Sequence, residues 1–119
     1  MRAVFALDAV VLMDAGADAR APGAAVTVAL CGHWEHEPPC PLAPHHTTAD
    51  HDRGEVRLRV LFAAEPEAEE EVRGRIRAAL HQGRLDGPDG VTVCWQLRGV
   101  NPSEVRHDEQ EQARRLAHS

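Results

Sequence analysis

Hydrophobic and polar residues follow one another in patterns that predict four strands. Residues 3–13 are apolar on both alternating faces, which is typical of a strand buried on both sides. Alternating patterns also predict a second strand at about 25–34 and a fourth at 91–97. Residues 55–62 alternate most cleanly and predict the third strand, whose inward positions are Val56, Leu58, Val60 and Phe62.

A helix is predicted between the third and fourth strands. Pro66 suits a first helical position, and Gly83 is a natural end. Glutamates crowd the opening turns and arginines follow them, an order that complements the helix dipole. The buried stripe is expected to consist of the apolar residues at helical spacing, Ala68, Val72, Ile76, Ala79 and Leu80.

A second, mostly charged helix is predicted over 101–119. Asn101 or Ser103 is expected to cap its start. Few of its residues are apolar, so we expect it to pack weakly or against a partner. The positions available for burial are Val105, Ala113, Leu116 and Ala117.

These elements predict an α+β fold within one domain, 1–119. The third strand, the helix and the fourth strand form a β-α-β unit, whose crossover is expected to be right-handed. Adding the two N-terminal strands gives a four-stranded, mainly antiparallel sheet with helices on one face, a β-β-α-β-α sandwich of ferredoxin-like type. Because this architecture hosts many unrelated functions, it implies no mechanism.

Composition narrows the class of protein. A chain of 119 residues fits one ordinary domain. It contains 19 alanines but only four Phe or Trp residues, so we expect a thin core. The net charge of −6 argues against a nonspecific nucleic-acid binder and against binding to anionic membranes.

The N-terminal run and the cysteine count bear on the compartment. Asp8 and Asp14 interrupt the apolar run at the N-terminus, which favours a strand over a secretory signal. Three cysteines cannot pair completely within the chain. Together these features predict a cytoplasmic protein.

Histidine and cysteine are concentrated in one part of the chain. Five of the eight histidines lie between His33 and His51, and two of the three cysteines lie in or beside this stretch. Four prolines stiffen a predicted loop over 36–54. Thiolates and imidazoles are the ligands that zinc favours, although copper or nickel could also use them.

Spacing on the predicted second strand suggests how these ligands meet. Cys31 and His33, two apart on a strand, would leave the same face with Cα atoms about 6.6 Å apart. The loop would then fold back to bring Cys40 and one of His45 or His46, completing a tetrahedral Cys₂His₂ set. The sequence therefore predicts a zinc-like site, with one of the two adjacent histidines spare.

Other residues on the same predicted sheet face leave alternatives open. Cys94 could replace Cys40 as a ligand, or could be a small buried thiol. Three arginines could hold an anion or form a solvated surface: Arg57, Arg59 and Arg98.

Three functions remain compatible with the sequence. The leading prediction is a structural metal site in a binding or accessory module. The second is a metal-dependent hydrolase that uses the same ligands, with Glu35 or Glu37 as general base beside a metal-bound water. The third has no metal: a homodimeric interaction domain that pairs through its sheet face and C-terminal helix, its histidines being incidental to a polar loop. The spacing of the Cys and His residues matches no zinc finger, so it does not decide between these hypotheses.

Overall fold

A computed structural model describes residues 2–31, 43–87 and 89–118 of the chain. Single turns of 3₁₀ helix at Pro66–Ala68 and His107–Glu109 lead into the second and third helices. In chain order the elements are β1 (Ala3–Leu12), α1 (Ala21–Cys31), β2 (His45–Asp52), β3 (Glu55–Ala64), α2 (Glu69–Gln82), β4 (Arg84–Asp86), β5 (Thr92–Cys94), β6 (Gln96–Ser103) and α3 (Gln110–Ala117).

Four of the strands form one sheet in the order β2-β3-β1-β6, and every neighbouring pair is antiparallel. Since β1 and β2 both run antiparallel to β3, α1 connects two parallel strands across a third, and α2 does the same for β3 and β6. The predicted α+β class is confirmed: the four-stranded antiparallel sheet and three helices are compatible with a ferredoxin-like sandwich.

The predicted strand at 25–34 is wrong over 25–31, because Ala21–Cys31 forms α1, and its last three residues lie outside the described residues. This segment is apolar at almost every position, so alternation and helical periodicity fit it equally well. Four alanines favour the helix, and Pro22 is tolerated in its first turn. A helix that is apolar on all sides is either buried in a protein core or spans a membrane. The helix α1 has 11 residues. In the described part of the chain no helix is both long and apolar enough to cross a membrane.

The predicted loop over 36–54 is wrong in its second half, where His45–Asp52 forms β2. This strand has few apolar residues because it lies at an edge of the sheet and exposes one face to solvent. The first half of the predicted loop lies outside the described residues.

The C-terminal region also differs from the prediction. Trp95 divides the predicted fourth strand into β5, which belongs to a small hairpin with β4, and β6, which joins the main sheet. The strand β6 then includes Asn101 and Ser103, the expected helix caps, and α3 begins only at Gln110. Pro102 is tolerated in β6 because this is the other edge strand.

The main core lies between the sheet and the helices α1 and α2. The predicted stripe of α2 is confirmed for Val72, Ile76 and Leu80, which are fully buried, whereas Ala68 and Ala79 are partly buried beside them. Trp95 closes this layer from the hairpin side, where its indole Nε1 donates to the Leu80 carbonyl oxygen at 2.9 Å. The inward positions predicted for the third strand are buried here too, together with Leu7, Val11, Val26 and Leu30.

The opposite face of the sheet is covered in part by α3. Leu116 packs there against Ala6, Leu61 and Ala63, in a buried cluster separate from the main core. Thus α1 and α2 lie on one face of the sheet and α3 lies on the other, whereas the sequence predicts helices on one face only. The double-sided apolar pattern of 3–13 reflects this arrangement, because β1 is covered on both sides.

Candidate functional site

Three of the predicted metal ligands lie among the described residues, at the end of α1 and the start of β2. Cys31 is the last residue of α1, and His45 and His46 open β2. Because Cys31 belongs to a helix, the predicted placement of Cys31 and His33 two apart on one strand is wrong. The remaining candidates fall outside the described residues, namely His33, Glu35, Glu37 and Cys40.

The helix α1 packs directly on β2. The Thr27 hydroxyl lies 3.0 Å from His45 Nε2. One turn earlier, Gly23 approaches Thr47 so closely that a Cβ on the glycine would stand 3.2 Å from Thr47 Cγ2. Four residues of a helix rise about 6 Å and two residues of a strand rise about 6.6 Å. Every fourth residue of α1 can therefore lie beside every second residue of β2. Cys31 is the next position in this series, one turn after Thr27, toward the beginning of β2.

Both ring nitrogens of His45 have hydrogen-bond partners. Nδ1 lies 3.1 Å from the Ala43 carbonyl oxygen. A carbonyl only accepts, so Nδ1 carries the hydrogen in this contact. In the neutral ring Nε2 is then the unprotonated nitrogen, and it faces the Thr27 hydroxyl. The backbone at Ala43 thus fixes the ring so that Nε2 points toward α1.

His46 lies on the other side of the sheet and is exposed. Adjacent residues of a strand point to opposite faces, so His45 and His46 cannot approach one ion from the same side. Of the two histidines, His45 is the one whose side chain is shown in contact with α1.

The space beside this contact is lined by both polar and apolar groups. A surface cavity of about 380 Å³ is lined in part by Gly23, Thr27, His45 and Thr47. Within the described residues, two buried side-chain atoms of β2 have no hydrogen-bond partner, Thr47 Oγ1 and His51 Nε2. Both residues share the strand face of His45. Of these two atoms, Thr47 Oγ1 belongs to the residue that packs against Gly23, so the junction between α1 and β2 contains a buried polar group that remains to be satisfied.

Cys94 does not belong to this region. It lies in the β4–β5 hairpin as an exposed free thiol, so the prediction that it shares a sheet face with Cys31 is wrong, and so is the alternative of a buried thiol.

The three arginines of the predicted face have separate surroundings. Arg57 pairs with Glu55 at 3.0 Å, and Arg98 is exposed on β6. The guanidinium of Arg59 is enclosed by the chain's own acceptors, which include Asp8 and Glu109. Together they do not form the anion site that the sequence suggested.

Gly23 and Thr27 are the site residues that the sequence analysis missed. The signal that could have revealed them is that Gly23, Thr27 and Cys31 follow one another at intervals of four residues, a spacing that becomes meaningful only on a helix. Among residues 2–31, 43–87 and 89–118, no group of three or more His, Cys, Asp or Glu side chains could hold a metal ion. Comparison of the chain with protein-family models, with curated proteins and with solved structures finds no match.

Proposed function

We propose that this protein binds one zinc ion where α1 ends and β2 begins, through Cys31, His33, Cys40 and His45. The ion is structural and pins the proline-rich segment to the folded domain, which serves as a small binding or accessory module. This proposal keeps the ligand set suggested by the sequence and selects His45 over its neighbour.

The observation that carries the proposal is the contact between Thr27 and His45. It places the end of α1 and the start of β2 at the same end of the sheet. Residues 32–42 connect these two points along the chain and include His33 and Cys40, so the proposed ligands all belong to one continuous stretch of the sequence, 31–45. The metal would close this loop in the folded state, and because its ligands are not assembled in the unfolded chain, its binding free energy would add to the stability of the fold.

The surroundings of His45 support its choice as a ligand. Histidines that bind metals usually donate their second ring N–H to a carboxylate, a water or a backbone carbonyl, and this contact orients the ring. The Ala43 carbonyl is such a partner for Nδ1. Metal binding would require Nε2 to exchange the Thr27 hydroxyl for the ion, which is a small rearrangement at a partly buried position.

His45→Ala and His46→Ala form a matched pair that tests the proposal. We expect His45→Ala to weaken zinc affinity at least about 100-fold, because one of four ligands is lost. His46→Ala should change the affinity less than about threefold, because that side chain faces solvent on the opposite side of the sheet. Affinity is measured by competition with a chromophoric chelator of known zinc affinity.

Cobalt substitution gives an independent reading of the ligand type. A Cys-containing tetrahedral site should give a thiolate-to-cobalt charge-transfer band, which Cys31→Ser should weaken and Cys94→Ser should leave unchanged. Equal effects of the two histidine variants, or cobalt binding without a thiolate band, would contradict the assignment.

A further inference from the structure

Arg59 joins the C-terminal part of the chain to the sheet. Its side chain is only 10% exposed, although it projects from the face of β3 opposite the main core. The guanidinium donates to both carboxylate oxygens of Glu109, at 2.7 and 2.6 Å, and to Asp8 at 2.8 Å. It also donates to the Ser103 hydroxyl at 3.0 Å and to the Glu104 carbonyl oxygen at 2.7 Å. One side chain therefore contacts β1, the end of β6 and the turn before α3.

Glu109 is the matching group on the C-terminal side. Its side chain is 18% exposed, and Oε1 also accepts the backbone N–H of Arg106 at 2.8 Å. Hydrogen bonds from Arg59 lower the pKa of Glu109 to about 2, although burial of the carboxyl group acts to raise it. The carboxylate is therefore ionised at neutral pH, and its bonds with Arg59 are charge-assisted.

The apolar contribution to this contact is small. In α3 only Ala113 and Leu116 are buried, and Leu116 meets three small or medium side chains of the sheet. The main core lies on the other face and contains none of these residues. The pairing of β1 with β3 extends over all ten residues of each strand and does not involve α3. Loss of the α3 contact thus leaves the larger part of the fold intact.

A helix as short as α3 does not persist alone in water. It has eight residues, well below the dozen or more that an isolated helix needs. Once α3 leaves the sheet it should therefore unfold, so undocking and melting are one event.

We propose that residues 104–117 form a strap, which opens as a unit while the sheet and the α1–α2 layer stay folded, and which Arg59 holds closed through Glu109. Opening uncovers Ala6, Leu61 and Ala63, an apolar patch that is otherwise buried. The strap is a conformational device separate from the proposed metal site, since neither its anchor nor its patch includes a residue of the α1–β2 contact.

Hydrogen exchange at individual amides, followed by NMR at neutral pH, tests the strap. Glu109→Ala should accelerate exchange of the α3 amides at least about tenfold relative to the β1 amides in the same sample, because it removes charge-assisted hydrogen bonds. Glu111→Ala is the control. Its carboxylate pairs with Arg115 within the same helix but is 78% exposed, so exchange in α3 should change less than about threefold.

The unmodified protein provides a second measurement that does not depend on how the variants fold. Exchange of the α3 amides should respond weakly to low concentrations of urea, since opening the strap exposes little surface, while that of the β1 amides follows global unfolding. The proposal is overturned if the α3 and β1 amides show the same urea dependence, or if Glu109→Ala accelerates both sets equally.

Discussion

Phe62→Ala is expected to lower the free energy of unfolding by about 4 kcal/mol, the largest effect of a single substitution that we predict. Phe62 is completely buried, and its ring centroid lies 5.5 Å from that of Phe5. The Arg73 guanidinium sits over the same ring, 5.3 Å from its centroid, while donating to the Ala6 carbonyl oxygen at 2.8 Å. Truncation would leave a cavity in an alanine-rich core and would remove the aromatic surface that this buried cation covers.

Urea unfolding at neutral pH measures this effect, with Val91→Ala as its control. Val91 is 57% exposed, so its truncation should change the free energy of unfolding by less than about 0.5 kcal/mol. Phe62→Leu should cost much less than Phe62→Ala, because it fills most of the volume. Similar costs for Phe62→Ala and Val91→Ala would show that the core is not where the structure places it.

Gly83→Ala is expected to cost about 3 kcal/mol, from two causes that act together. Gly83 ends α2 with a φ of 74°, a left-handed conformation that is unfavourable for residues with a side chain. A Cβ at this position would also stand 2.6 Å from the Trp95 carbonyl oxygen, too close for any relaxed contact. The backbone cannot simply move apart, because the Trp95 N–H donates to the Gly83 carbonyl oxygen at 2.9 Å.

Gly90→Ala separates the two causes. Gly90 has a φ of 84°, but nothing lies within 4 Å of a Cβ built there. Its substitution should therefore show only the cost of the left-handed backbone, about 1 kcal/mol. Both differences are measured by urea unfolding. If the two alanine variants are equally stable, the close approach between α2 and Trp95 does not restrict the native state.

Elements with a single dominant pattern could be predicted from the sequence. The third strand and α2 each show one clear period, and the large apolar residues expected on their inward faces are buried. The burial of Leu61 on the third strand and of Arg73 on α2 was not predicted. The helix α1 could not be distinguished from a strand, because a uniformly apolar segment has no period to identify it. The strand β2 lacks apolar alternation for the opposite reason: as an edge strand it buries little, and its polar residues resemble a loop.

The candidate site was predictable in composition but not in geometry. The concentration of His and Cys residues is visible in the sequence, but the sequence does not show which side of the sheet each of these residues faces. His45 and His46 are equivalent candidates until β2 is known to be a strand, and only then does parity separate them. Arg59 shows the same limit. Its outward position on the third strand was predicted, whereas its burial depends on Ser103, Glu104 and Glu109, which lie 44 or more residues later along the chain.

Metal content per chain tests the proposed site most directly. Protein purified without an affinity tag from metal-replete medium should contain about one zinc ion per chain, measured by elemental analysis together with the protein concentration. Removal of the ion by a chelator should lower the Tm by several degrees, and adding zinc back should restore it. Fewer than about 0.1 ions of any transition metal per chain, with a Tm that the chelator leaves unchanged, would contradict a structural metal site.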